Sequence, residues 1–325
     1  MCGTFVLSLD TELAWGSFDK RLRPELVRAA QWENREGIPR LLDLLCRHRI
    51  SATWAFVGHA TLDHCSGHPD MEPVSYDWYS GDWFQHDPAS DELRHPEWYA
   101  RSCFLKVLGA PYPQEIGFHS FSHVIFGNPG TPRKRAIQEF AACRAIAREF
   151  GIQGDAFVFP RNRAGFLHEL REAGFRTFRA PDVARFRTRH DAVNKALGVL
   201  ADFVGLTPLL VAAHLDHGLV GLPGSLMLRA MDGWRRIIPL RSRRARIMKG
   251  IDGCIREGGI FHLWLHPINL YREQEKMFEL VEECCERVSL LRDRGDLRVA
   301  TMGEFAGEYL ASHGTPAVAA PSWAT

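Results

Sequence analysis

Two histidines four residues apart, His119 and His123, follow the apolar lead-in Ile116-Gly117-Phe118 and are the side chains here best suited to holding a metal ion. In the first turn of a helix that spacing sets both rings on one face. A catalytic zinc takes three protein ligands and keeps a position open for water, so the pair needs a carboxylate. Asp10 and Glu12 stand where the β-prone run Thr4 to Leu9 ends. Side chains at i and i+2 of an extended segment point the same way, which lets the two acids converge. A cation held this way polarises a carbonyl and activates a bound water, and a carboxylate beside it can take the water's proton. The strand-like run Gly259 to Leu265 delivers His266 to a strand end. His262, four residues back and deeper, reads as a core histidine. Arg161, after the strand Ala156 to Phe159, is either a surface cation or the holder of an active-site carboxylate. His64, Cys65 and His68 have ligand-like spacing, but their turn-like setting offers no further ligand, and the group is set aside as a false positive.

The elements that must position these residues alternate. A strand at Thr4 to Leu9 is followed by helical patterns at Pro24 to Arg35 and Ile38 to Cys46, then by a strand at Ala52 to Val57. Helical periodicity over Pro132 to Phe150 leads to the strand at 156–159, a helix at Phe166 to Ala173 and a strand at Arg176 to Arg179. A helix from about Glu273 to Arg292 and a short strand at Leu297 to Thr301 close the pattern. Repeated βαβ units predict a parallel sheet. Residues 61–115 break the rhythm with Trp, Tyr, Asp, His and Pro; the aromatics of this insertion, Trp83 among them, either stack on sugar rings over the site or pack a small core of their own. The tail from Ser312 has no periodicity and reads as disordered.

At 325 residues with 46% hydrophobic and 24% charged side chains, the chain is an ordinary globular protein that an α/β barrel can hold as one domain. The net charge of +1 hides an asymmetry: residues 183–250 carry twelve Lys or Arg against four Asp. That block suits a phosphate-bearing substrate, an anionic bilayer surface or a plain solvated face. No nucleic-acid motif accompanies it. Eight cysteines without framework spacing or CxxC point to free thiols in a reducing compartment. The N-terminus reads as a strand with no export signal before it, and the apolar stretch 196–215 is broken by Asp202 and Pro208, so the expectation is a cytoplasmic protein, peripheral at most to the inner membrane face.

Taken together and in this order, Ser8-Leu9-Asp10-Thr11-Glu12, His119-Ser120-Phe121-Ser122-His123, Phe159-Pro160-Arg161-Asn162 and Leu263-Trp264-Leu265-His266 resemble the motifs of the polysaccharide deacetylase family, the NodB-homology or family 4 carbohydrate esterases. The resemblance covers most of residues 4–306. It implies an α/β fold, a distorted (β/α) barrel of about seven strands over residues 1–311, with insertions at about 61–115 and 183–250 and a tail at 312–325. It also implies a divalent metal, zinc before cobalt or nickel, on His119 and His123. Asp10 would be the general base, Arg161 its orienting residue and His266 the general acid. Leu263 would wall the acyl pocket, with Trp264 and Trp83 as further substrate contacts. The sequence departs from the family where an adjacent Asp-Asp is usual and Asp10-Thr11 stands here. Glu12 is then the replacement ligand, and the roles of Asp10 and Glu12 are exchangeable at this stage. Asp182 stands near the family's fourth motif.

The function implied is removal of an N-acyl group, acetyl before formyl, from an amino sugar of a polysaccharide or a lipid-linked glycan precursor. Two other readings stand beside it: an amidohydrolase of small cyclic amides or imides, and a glycan- or membrane-binding relative whose metal site Thr11 has broken.

Overall fold

The computed structural model describes residues 3–20, 22–183 and 191–314. Arg185, Arg187 and Arg189 of the basic block, and the tail from 315 onward, lie outside them. In chain order the elements are β1 (Gly3–Thr11), α1 (Pro24–Trp32), α2 (Ile38–Arg47), β2 (Thr53–Phe56), α3 (Arg101–Leu108), β3 (Glu115–Phe118), α4 (Arg133–Glu149), β4 (Ala156–Val158), α5 (Leu167–Glu172) and β5 (Thr177–Arg179). There follow α6 (Asp191–Phe203), β6 (His214–Asp216), β7 (Leu219–Gly221), β8 (Leu226–Met227), α7 (Leu240–Glu257), β9 (Ile260–Leu265), α8 (Gln274–Asp293), β10 (Leu297–Val299) and α9 (Met302–His313).

Every residue of β1 is buried, as expected of a strand covered on both faces. It sits centrally in a sheet ordered β6-β7-β5-β4-β3-β2-β1-β9-β8, with β10 pairing its first residues on the edge that β2 takes further along. The ladders are parallel except the β6–β7 hairpin. The sheet curls into a half-barrel, and an isolated bridge between Val211 and Ile260 ties the chain before β6 to β9. This is the expected distorted (β/α) barrel.

Side chains of β1 alternate between two cores. Phe5, Leu7 and Leu9 face outward to the helices, with Leu41 and Leu45 of α2 and Leu280 of α8. Val6 faces the barrel interior with Ala55, Val158, Leu222 and Met302. Above Val6 on that inner face come Ser8 and Asp10, so the interior turns polar toward the strands' C-terminal ends, where α/β barrels carry their chemistry. The opposite end is closed by α9, whose start is a capping box: Glu304 N donates to Thr301 Oγ1 (3.2 Å) and Thr301 N donates to Glu304 Oε2 (2.9 Å). Helix α9 runs to His313, so the expected tail from Ser312 begins too early.

Periodicity located most elements but not those between 183 and 250. There the strands are only two or three residues long, too short to show an alternation. Nor does the basic block form one open face. Arg229 and Arg246 both bind Asp202, Arg244 binds Glu283, and the largely buried Arg243 donates to the carbonyls of Arg229 and Arg235. No helix among the described residues is long and apolar enough to cross a membrane. The seven described cysteines are free, with Cys284 and Cys285 buried side by side in α8.

Candidate metal centre and catalytic site

Glu12 is the meeting point. Its Oε1 lies 2.8 Å from His119 Nε2, 3.3 Å from His123 Nε2 and 3.4 Å from His266 Nε2. The donor atoms of Glu12, His119 and His123 all fall within 4.8 Å of one another. Both ring nitrogens of His119, and Nδ1 of His123, are buried without a hydrogen-bond partner. Buried imidazole nitrogens left unpaired are costly. A divalent cation facing Nε2 would satisfy part of that deficit, and an N,N,O donor set with room for water is the kind a catalytic zinc takes.

The three donors come together by routes the spacing did not predict. Thr11 is the last residue of β1, and Glu12 already has helical backbone angles. Glu12 therefore meets Asp10 through a bend and not through strand alternation. The bend continues at Leu13, which takes a left-handed φ of 51°. A Cβ on Gly16 would sit 1.9 Å from Glu12 Oε2, so the carboxylate occupies space that only glycine leaves. Thr11, where the adjacent aspartate was expected, lies on the other side of the strand from Asp10 by alternation, and its hydroxyl is buried and unpartnered.

His119 and His123 are not on a helix either. The segment after β3 is irregular, and Ser120 and His123 have left-handed φ of 60° and 62°. A buried carboxylate shapes it. Glu139 of α4 accepts from the backbone N–H of Phe121 (2.9 Å) and of Ser122 (2.8 Å) and from the Ser122 hydroxyl (2.5 Å). Arg135, one turn earlier in α4, donates to Glu139 (2.9 Å) and to Ser122 Oγ (2.8 Å). His123 N donates to Ser120 Oγ at 2.7 Å. The rings end up with centroids 5.1 Å apart.

Asp10 is gripped from across the barrel. Arg179, at the end of β5, donates from Nη1 to Oδ1 and from Nη2 to Oδ2, each at 2.6 Å, with both side chains almost fully buried. Burial pushes the Asp10 carboxyl up, but the Arg179 guanidinium, with His119 and His266, outweighs it and holds the pKa below its ordinary value. Arg179 Nη2 also donates to Asn162 Oδ1 (3.0 Å), and its guanidinium lies 3.9 Å from the Trp264 ring centroid. Arg161 does not reach Asp10. It pairs with Asp19 and lies over Trp78, so the arginine that holds Asp10 is Arg179 and not the expected Arg161, with Asn162 as the part of that motif that touches Arg179. Arg161 and Asn162 both have left-handed φ, which swings their neighbouring side chains apart.

His266 follows β9 with Nε2 at 3.6 Å from Asp10 Oδ2. Burial pushes its pKa down, but Glu12 and Asp10 outweigh that and raise it to about 9. His262, two residues deeper on the same face as Trp264, takes a hydrogen bond with Ser8 Oγ (2.8 Å) and contacts Pro223 O (3.1 Å); burial drives its pKa down to about 3, as befits a core histidine. Leu263 points the other way, into the core under the helices, so it does not wall the site and Trp264 holds the inner position. Trp83 is buried too. It donates to Ser122 O (2.7 Å) and packs edge-on against Phe18, Tyr76 and Tyr79, which makes it part of the insertion's own core. Trp78 is an exposed aromatic of the insertion, stacked on Tyr76 and donating to Asp19 Oδ2 (3.2 Å). Asp182 lies on the exposed segment after β5.

Sequence reasoning passed over Arg179, Glu139, Gly16 and Glu33. Glu33 begins a π-helical turn, Glu33–Gly37, of the kind enriched at functional sites. It is fully buried, and burial followed by the charge of Glu12 raises its pKa well above the carboxylate norm, against the backbone of Leu13 and Ile268. The mouth of the site is a cleft of about 440 Å³ lined by Glu12, His123 and His266, with Lys20, Arg161, Arg229, Arg235 and Asp232 around it.

No protein-family model matches the sequence, and no curated protein matches it. Solved structures do match the fold. A candidate polysaccharide deacetylase from Mycobacterium smegmatis superposes with a TM-score of 0.65 at 16% identity over 99% of this chain and 96% of that one. Another, from Pseudomonas aeruginosa PAO1, gives 0.60 at 12% identity over 95% and 91%. The allantoinase PuuE gives 0.58 at 12% identity over 95% and 90%. In architecture, then, this chain is similar to the NodB-homology polysaccharide deacetylases.

Proposed function

We propose that the protein is a metal-dependent amide hydrolase that removes an N-acyl group, acetyl before formyl, from an amino sugar. The observation that carries this reading is the convergence of Glu12 Oε1 on His119 and His123 at 2.8 and 3.3 Å, beside His266 at 3.4 Å and an arginine-held Asp10. A divalent cation on Glu12, His119 and His123, zinc before cobalt or nickel, would supply Lewis acidity to the amide carbonyl and to the attacking water. Glu12 is the ligand and Asp10 the base in this assignment, because both Asp10 oxygens are already fixed by Arg179 while Glu12 faces the imidazoles. Asp10 takes the proton of the water, and Arg179 fixes the direction from which it does so. His266 gives a proton to the departing amine nitrogen, so the products are a carboxylic acid and a free amino sugar.

Lys20 at the cleft, beside Arg161, Arg229 and Arg235 that each already pair with an aspartate, suits a substrate that carries phosphate or carboxylate near the amino sugar, as a lipid-linked glycan precursor does. The zinc-loaded protein should release acetate or formate from such a compound or from chitooligosaccharides, and His119→Ala should abolish it. Full activity of that variant would remove the metal mechanism. Turnover of small cyclic amides or imides, without release from any N-acyl amino sugar, would move the substrate class to the amidohydrolase reading.

A further inference from the structure

The grouping of Cys65 and His68 set aside in the sequence gains two partners in the fold. His59, in the turn after β2, and Asp87, in the insertion, meet them, and the donor atoms of all four lie within 4.8 Å of one another. His64 is exposed and takes no part. We propose that His59, Cys65, His68 and Asp87 form a second metal site, structural and closed, that binds zinc and fastens the insertion to the catalytic loop.

Bonds of 2.0–2.3 Å to a tetrahedral zinc set neighbouring donors about 3.4 Å apart. Here Cys65 Sγ is 3.2 Å from His68 Nε2 and 3.4 Å from Asp87 Oδ2, and His59 Nε2 is 3.0 Å from Asp87 Oδ2. Nδ1 of the fully buried His59 has no hydrogen-bond partner, and its Nε2 faces Asp87 Oδ2. The surroundings arrange the donors as a metal's outer shell does. Tyr99 Oη (2.7 Å) and Ala89 N (3.1 Å) donate to Asp87 Oδ1, leaving Oδ2 for the centre, and Gly67 N donates to Cys65 Sγ at 3.3 Å. One sulfur, two imidazoles and one carboxylate fill four positions. Such a soft and mixed set selects zinc over magnesium or calcium, and with no position left for water it holds structure and does no chemistry.

Its location gives it a consequence for the catalytic centre. Gly58 N and His59 N donate to the carbonyls of Ser120 and Phe121, both at 2.8 Å, and the His68 ring lies edge-on to Phe121 with centroids 5.2 Å apart. Phe121 sits between His119 and His123 in sequence, so a cation on the four donors would pin the loop that carries both.

Cobalt grown into the protein in place of zinc tests this independently of any activity, because the Glu12 centre contains no sulfur. The cobalt protein should show an intense near-ultraviolet thiolate-to-cobalt charge-transfer band that Glu12→Gln and Cys103→Ser keep and Cys65→Ser loses. Absence of the band from the cobalt-loaded native chain, or its survival in Cys65→Ser, would overturn the proposal. Should Cys65→Ser fail to fold, X-ray absorption on the native zinc protein decides. A zinc–sulfur distance of about 2.3 Å supports the site, and a shell of nitrogen and oxygen alone overturns it.

Discussion

Arg179 and Asp10 form a two-pronged, almost fully buried ion pair across the barrel, both contacts at 2.6 Å. Removing one member of such a pair leaves an uncompensated buried charge, at a cost of about 3–5 kcal/mol. Arg179→Met should therefore lower both stability and kcat, and Arg179→Lys should recover only part of either, because a lysine cannot reproduce the planar fork. Arg161→Ala should leave kcat within a few-fold. Denaturant unfolding and steady-state kinetics on the three variants check this. Equal losses for Arg161→Ala and Arg179→Met would reverse the assignment.

Gly16→Ala tests the position of Glu12 without touching it. The added methyl collides with the end of a flexible side chain, so the fold should persist while the carboxylate is displaced. Zinc affinity at that centre should fall by about 10–100-fold, in line with other disturbances of ligand orientation. Calorimetric titration of zinc measures it, and unchanged affinity would mean that Glu12 is not a ligand.

Glu139→Gln should act in the same direction from a different element. It removes the charge that receives Phe121 N, Ser122 N, Ser122 Oγ and Arg135. With Arg135 buried beside it, the variant should be destabilised by about 3–5 kcal/mol as well as weakened for zinc. A variant of native stability and affinity would show that the loop holds its shape without this acid.

The pH dependence has two separable parts. In the metal-free protein Glu12 and Asp10 raise His266 to about 9, and a cation that neutralises Glu12 should bring it down, so kcat should show an alkaline limb below that value, and His266→Ala should lose about 10²–10⁴-fold and with it that limb. Glu115, at the closed end of the barrel, accepts from Thr53 Oγ1 (2.5 Å) and Gly303 N (3.1 Å), and burial raises its pKa to about 7. A carboxyl with a raised folded pKa binds its proton more tightly in the folded state. The folded state therefore holds more protons between about 4.5 and 7, and stability falls as pH rises through that window, by at most about 3 kcal/mol. In Glu115→Gln that decline should be smaller in urea unfolding at pH 5 and pH 8, the remainder coming from groups such as Glu33, and an unchanged slope would refute the role.

Much of the barrel was legible because long strands and helices carry period: β1, β9, α4 and α8 lie where alternation or helical spacing put them. The acids at the end of β1 and the two loop histidines were legible as residue types. Their means of convergence were not, because a left-handed Leu13, a space kept by Gly16 and a carboxylate from α4 leave no periodic trace. Arg179 was hidden for a related reason. It ends a three-residue strand and reaches Asp10 across 169 positions of sequence, whereas Arg161 sits in the recognisable motif. The Cys65 group failed on local reading because its other ligands, His59 and Asp87, lie outside any short spacing. Leu263 and Trp264 show how one position decides a side chain's surroundings in a strand, since neighbours face opposite layers.

The most direct test of the central claim is an anomalous-difference map at the zinc edge from crystals of the zinc-loaded protein. The account predicts a peak within bonding distance of Glu12 Oε1, His119 Nε2 and His123 Nε2, with Asp10 still paired to Arg179. A map with no density among those three atoms, or a peak bonded to Asp10 with Glu12 turned away, would contradict it.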